Sequence, residues 1–167
     1  ANVLLEVMPE NAVIGVLAGN YESNQQNMRI QGFVDKLAGR KVEIKKIIHL
    51  SDLDVMEAMD KTQLLLNSGY DINILFCTNP VNTIGAARGV VDLNRVGNVK
   101  IIGFDDLPEI RRLVEKEVIS AVIVQDPYLM GKLAVQNMYN YKEGKQISVL
   151  INTDVRVASR QNINSFE

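Results

Sequence analysis

Val99-Lys100-Ile101-Ile102-Gly103-Phe104-Asp105-Asp106-Leu107-Pro108-Glu109 is the stretch that decides the fold class. It reads as a buried strand that runs into two adjacent carboxylates and then into a helix. An apolar run of this length, bounded by turn residues, suits a parallel strand covered on both faces. Pro108 suits the first turn of the following helix, where its missing N–H would be unpaired in any case. Asp105 and Asp106 therefore fall where a strand ends and a helix begins, the edge at which open α/β sheets bind ligands.

The same grammar repeats on both sides of this stretch. Residues 12–19 (AVIGVLAG) form an apolar run that ends in the polar turn Gly19-Asn20-Tyr21. Ser23 and Gln26 match a capping box, and Ile30, Phe33, Val34 and Leu37 then recur on one helical face. Residues 41–50 predict a second strand. Ser51 and Asp54 open a helix with Val55, Ala58, Met59, Thr62, Leu65 and Leu66 inward. Residues 72–77 predict a third strand that leaves through Thr78-Asn79-Pro80. The helix after it carries Gly85 and Ala86, which allow close packing. A fifth strand at 121–124 ends in Gln125-Asp126-Pro127, and a long helix runs on to about residue 141. A sixth strand is expected at 147–151, a short extended piece at 154–157, and a loose polar tail over the last ten residues.

Strands that alternate with helices predict an α/β fold: an open, mostly parallel, doubly wound sheet with helices on both faces. At 167 residues the chain fits one domain with an appendage, and 47% hydrophobic residues suffice for a sizeable core. The formal charge of −2 gives no electrostatic footprint for nucleic acid. A single cysteine, Cys77, excludes an internal disulfide framework, and a single histidine beside it argues against a zinc site. The chain begins at Ala1 without a start methionine or signal peptide. Residues 1–8 look like the tail of an amphipathic helix, so a mature or cut piece of something longer is expected.

In this topology the carboxyl ends of the strands present Asn20 and Tyr21, His49 and Ser51, Thr78 and Asn79, Asp105 and Asp106, and Gln125 and Asp126. Amides, hydroxyls and carboxylates suit a polyhydroxylated small molecule, and the set is poor in nucleophile–base pairs. Each residue also has a bland reading. Asp105 suits a helix cap, Asn79 before Pro80 is a common turn pair, Gln125 suits a hinge, Arg29 a solvated helix position, and Cys77 a small hydrophobe. No phosphate loop, nucleophile elbow, zinc-protease motif or dinucleotide fingerprint occurs. A phospho-acceptor receiver is excluded as well, because Gly19-Asn20, Thr78-Asn79 and Gln125 stand where its acidic residues, aspartate and lysine belong.

The order of these pieces resembles the type I periplasmic sugar-binding protein family, which shares its fold with the ligand-binding part of lactose-repressor-type regulators. The resembling residues are Met28-Arg29-Ile30-Gln31-Gly32-Phe33, Phe76-Cys77-Thr78-Asn79, Ile101-Ile102-Gly103-Phe104-Asp105-Asp106, and Ala121-Val122-Ile123-Val124-Gln125-Asp126-Pro127. Asn152-Thr153-Asp154-Val155-Arg156-Val157 looks like the closing segment. The resemblance implies two lobes with the ligand between them. Residues 1–124 would be the C-terminal ligand-binding lobe, 125–157 a hinge crossing and the segment that returns to the N-terminal lobe, and 158–167 a tail.

By the same resemblance Arg29, Asn79, Asp105 and Gln125 bind the ligand, with no cofactor, no metal and no catalysis. Two departures matter. Pro80 replaces a frequent aspartate, and Leu53 stands about where the family often has a ring-stacking aromatic.

The function this implies is binding of a small polar ligand, first of all a sugar, by an extracytoplasmic solute-binding protein. It would serve ABC transport or membrane sensing, with a transporter or sensor kinase as partner. The alternative is the effector-binding domain of a cytoplasmic sugar-responsive transcription regulator. A flavodoxin-like enzyme with Asp105 or Asp106 as general base is the reading from another class. If the first lobe is absent, Met130, Leu133, Ala134 and Met138 should either dock on a second chain or stand exposed.

Overall fold

Four apolar runs and one segment of mixed polarity become five parallel strands. In a computed structural model of the protein, which describes residues 11–51 and 54–166, the strands are β1 (Ala12–Ala18), β2 (Val42–His49), β3 (Ile74–Cys77), β4 (Lys100–Phe104), β5 (Ala121–Val124) and β6 (Arg156–Ala158). They form one sheet in the order β2-β1-β3-β4-β5-β6. The first five are parallel, and β6 runs antiparallel to β5, with Val122 opposite Ala158. The helices are α1 (Asn24–Leu37), α2 (Val55–Leu66), α3 (Pro80–Asp92), α4 (Pro108–Glu115) and α5 (Pro127–Lys142).

The two-residue period of the strands sorts the core onto two faces. Leu17, Leu75, Ile101 and Val122 pack with Ala58, Leu65, Ile84, Val90, Ile110 and Val114 of α2, α3 and α4. Ile14, Val16, Ile74, Phe76, Ile102 and Phe104 pack with Phe33 and Leu37 of α1 on the other face. The interior strands are buried on both sides, which is why they read as unbroken apolar runs. Strand β2 is one of the two edges, half solvated, and mixes apolar with polar residues accordingly.

Capping side chains set the starts of four helices. Ser23 accepts from the Gln26 N–H, Asp54 from those of Met56 and Glu57, Asn79 from that of Asn82, and Asp126 from that of Leu129. Gly85 lets α3 lie on α2: a Cβ there would stand 2.4 Å from the Ala58 Cβ.

Two expectations and one alternative reading need correction. Residues 147–151 form no strand; the ladder position beside β5 goes instead to Arg156–Ala158, and Val149 and Leu150 lie exposed. An apolar run without a neighbouring strand has nowhere to send its backbone hydrogen bonds. The end of the chain is not loose either. Ile163, in a short 3₁₀ turn (Ile163–Ser165), and Phe166 are buried in the core with α4 and β5. Finally, Asp105 does not cap α4; Leu107 holds that position with no side-chain bond.

Helix α5 has no buried residue. Met130 and Ala134 are exposed, Leu133 is half-buried and Met138 is 72% exposed. The helix expected in residues 1–8 and the position expected near Leu53 lie outside the described residues.

Candidate functional site

The carboxyl ends of β1, β3, β4 and β5 are tied to one another by polar bonds. At β3, Thr78 receives the Gly19 N–H on its hydroxyl at 3.0 Å and donates its own N–H to the Leu17 carbonyl, which links the ends of β1 and β3. At β2, His49 Nδ1 lies 3.0 Å from the Gly19 carbonyl. A carbonyl can only accept, so this ring nitrogen carries the proton. Tyr21 meets the same ring edge-on.

Arg29 reaches this edge from the second turn of α1. Its Nη1 donates to the Thr78 carbonyl at 2.5 Å, and its Nη2 donates to Gln125 Oε1 at 3.2 Å. The other end of the Gln125 amide, Nε2, donates to Asp105 Oδ1 at 3.0 Å. The amide can sit only one way round, because a guanidinium only donates and a carboxylate only accepts. The result is a chain from cation through amide to anion that spans α1, β5 and β4. Burial of the guanidinium pulls the Arg29 pKa down, and the neighbouring Asp105 carboxylate pulls it back up.

Asp105 is itself held in a costly backbone conformation, with φ at 64°. Its N–H donates to the Ile123 carbonyl at 2.8 Å, which fixes the turn against β5. Asp106 stands 3.7 Å from Arg111 Nε, a Coulombic pairing too long for a hydrogen bond.

Three of the four expected site residues, Arg29, Gln125 and Asp105, are thus joined by hydrogen bonds. Asn79 stands at the neighbouring strand end, buried, where its Oδ1 accepts the Asn82 N–H at 2.8 Å as the α3 cap. Its structural reading is therefore observed, and it joins the others through the backbone. The Thr83 hydroxyl donates to the Asn79 carbonyl at 2.7 Å and accepts the Phe104 N–H at 3.2 Å. Gly103 makes room for this, since a Cβ there would lie 2.3 Å from Thr83 Cγ2. Sequence reasoning missed Thr83 and Phe104. The available signals were a hydroxyl four residues after Asn79 and an aromatic immediately before Asp105.

Cys77 is fully buried in β3 and its thiol is pushed far up by desolvation, as suits a small hydrophobe. No cluster of metal-ligating side chains occurs among the described residues. A groove of about 760 Å³ runs along α5 beside Tyr128, Val135 and Tyr139. It is an open helix face, because nothing on that helix is buried.

Fold and site together define a doubly wound α/β lobe that gathers charged and amide groups beyond the carboxyl ends of its strands, where such folds take small molecules. The chain belongs to the periplasmic binding protein domain family, whose model matches residues 1–146. It is 30% identical over 98 residues to the D-allose-binding periplasmic protein of Escherichia coli K12, a match that covers 58% of this chain and 32% of that protein. It is 26% identical over 175 residues to the ribose import binding protein RbsB of Haemophilus influenzae, covering 95% of this chain and 59% of that one.

Among solved structures, GanP, a glucose-galactose binding protein from Geobacillus stearothermophilus, superimposes with a TM-score of 0.91 at 31% identity. The XylFII–LytSN complex does so with a TM-score of 0.85 at 32% identity. In both, 96% of this chain matches 57% of the other. The chain therefore spans little more than half the length of these relatives.

Proposed function

We propose that this chain is the C-terminal lobe of an extracytoplasmic solute-binding protein that takes a small polar ligand, first of all a sugar, in a cleft against an N-terminal lobe. In this reading residues 1–124 form the ligand-binding lobe, 125–157 the hinge crossing and the segment that returns to the other lobe, and 158–167 the tail. One observation carries it: Arg29, Gln125 and Asp105 lie hydrogen-bonded in a row at the carboxyl edge of the sheet. Paired hydroxyls of a sugar are both donors and acceptors. A guanidinium and a carboxylate at fixed separation match them with charge-assisted bonds. Asn79, beside them, adds an amide to the same wall.

The reading also gains support from relatives whose names specify allose, ribose, and glucose with galactose. Delivery to an ABC transporter is the partner role suggested by a ribose import protein. A sensory partner is suggested by the complex of XylFII with LytSN. Hinge closure on the ligand would supply the form that either partner recognises. A general-base role for Asp105 or Asp106 has less support, since Asp105 accepts from Gln125, Asp106 pairs with Arg111, and the family is one of binding proteins.

The test is calorimetric titration of the protein containing both lobes with D-ribose, D-allose, D-glucose and D-galactose. A sugar at a hundred times its dissociation constant should stabilise the fold by about 2.7 kcal/mol. Asp105→Asn should weaken binding by about 1.5–3 kcal/mol, the worth of a charged hydrogen bond, with the melting temperature of the free protein little changed. No response to any of the four sugars would sink the sugar assignment.

A further inference from the structure

Two hydrogen bonds hold one end of the Arg29 guanidinium, at Nη1 by the Thr78 carbonyl and at Nη2 by the Gln125 amide. Two points define an axis and leave the group free to rock about it. A third support fixes the plane: the Arg29 Cζ lies 4.2 Å from the centre of the Phe104 ring, over its face. Phe104 ends β4 directly before Asp105 and is itself braced. Its ring meets Phe76 at 6.2 Å and 61°, and Phe76 stacks on Phe33 at 4.0 Å with the planes 2° apart. Phe33 lies four residues after Arg29 on the same helix. The support thus leaves α1 at Arg29, crosses β4 and β3 through three aromatic rings, and returns to α1 one turn later. The Phe104 backbone is pinned as well, since its N–H donates to the buried Thr83 hydroxyl.

We propose that Phe104 is a positioning residue for ligand recognition: its ring face, backed by Phe76 and Phe33, sets the plane in which Arg29 presents its remaining N–H groups to the ligand. A guanidinium has five N–H donors in a rigid fork, so tilting the plane moves all of them together. Arg29 gives two donors to protein acceptors, which leaves three. The partial burial of the charge lowers its affinity for protons and strengthens its attraction to the ring face. The proposal rests on the reading of Arg29 as a ligand donor, and the experiment separates the two.

In ¹⁵N-labelled protein without sugar, the Arg29 Nε–Hε resonance, identified by its disappearance in Arg29→Lys, should be shifted upfield by the Phe104 ring current. Phe104→Leu should return it to the ordinary arginine range. Titration with D-ribose and D-allose then compares the wild type, Phe104→Leu, Arg29→Lys and the double variant. The expected result is a loss of roughly threefold to tenfold in affinity for Phe104→Leu, and no further loss when it is added to Arg29→Lys. A purely packing role for Phe104 would lower affinity equally in both backgrounds and would overturn the proposal. So would an Arg29 resonance at its ordinary position in the wild type, a measurement that needs no bound sugar. If Arg29→Lys binds as tightly as the wild type, the ligand reading of Arg29 fails. If Arg29→Lys weakens binding and Phe104→Leu does not, only the positioning role fails.

Discussion

Helices α3 and α5 begin with the same chemistry. A buried strand ends, an Asn or Asp side chain accepts a backbone N–H of the first turn, and a proline occupies the first helical position. They finish in opposite surroundings. In α3 eight of 13 residues are buried, from Asn82 to Val90, and Gly85 and Gly89 let its backbone approach α2. In α5 none of 16 residues is buried, and Tyr128, Val135, Met138 and Tyr141 stand in solvent. Capping chemistry therefore decides where a helix starts and says nothing about what it packs against. Small residues on the contact face of α3 commit it to this lobe. The apolar residues of α5 are spread around the helix and find no partner among the described residues.

The largest contrast should come from truncating one large side chain on each side of that divide. Phe76→Ala removes the middle ring of the aromatic column and should cost about 3–5 kcal/mol in urea denaturation. Met138→Ala, on exposed α5, should change stability by less than about 0.5 kcal/mol. Equal losses would mean that α5 is packed in solution, which would break the contrast.

Adding one methyl group to each helix should have a smaller effect with opposite signs. Gly85→Ala places a Cβ 2.4 Å from that of Ala58 and should destabilise by about 1–3 kcal/mol, the usual cost of overpacking. Gly131→Ala on α5 meets nothing within 4 Å and should stabilise the helix by up to about 1 kcal/mol. The smallest difference should lie in the caps. Asn79→Ala should lower global stability by about 1 kcal/mol. Asp126→Ala should raise amide exchange mainly in the first turn of α5, because little else unfolds with that helix.

Most of the fold was legible because its elements carry local signals. Strands β1, β3, β4 and β5 are buried on both faces and read as apolar runs, and side-chain caps mark the starts of α1, α2, α3 and α5. What failed depends on partners distant in sequence. Arg156–Ala158 is a three-residue strand; the extended piece expected at 154–157 overlaps it at Arg156 and Val157, but its pairing with β5 was not expected. Residues 147–151 looked more strand-like and form no ladder. Ile163 and Phe166 are two apolar residues in a polar stretch, and only their packing in one cluster with Ile110 and Val114 of α4 explains their burial.

The site divides in the same way. Asp105 and Gln125 showed themselves as polar groups at strand ends, whereas Arg29 read as a solvated helix position and was singled out by the family resemblance. Phe104 and Thr83 read as ordinary core residues of a strand and a helix. Their part becomes visible only when the ring is found beneath the guanidinium and the hydroxyl between two strand ends.

The backbone of Asp105, at φ 64°, sets the interests of the site against those of the scaffold. A side chain at that angle costs the fold roughly 1–2 kcal/mol, a penalty that glycine escapes. Asp105→Gly would relieve that strain but remove the acceptor of the Gln125 amide, so urea stability should change little, while on the proposed reading the ligand should bind more weakly. Selection for the fold alone would therefore gain little from the aspartate, whereas selection for the proposed ligand binding would hold it at this position.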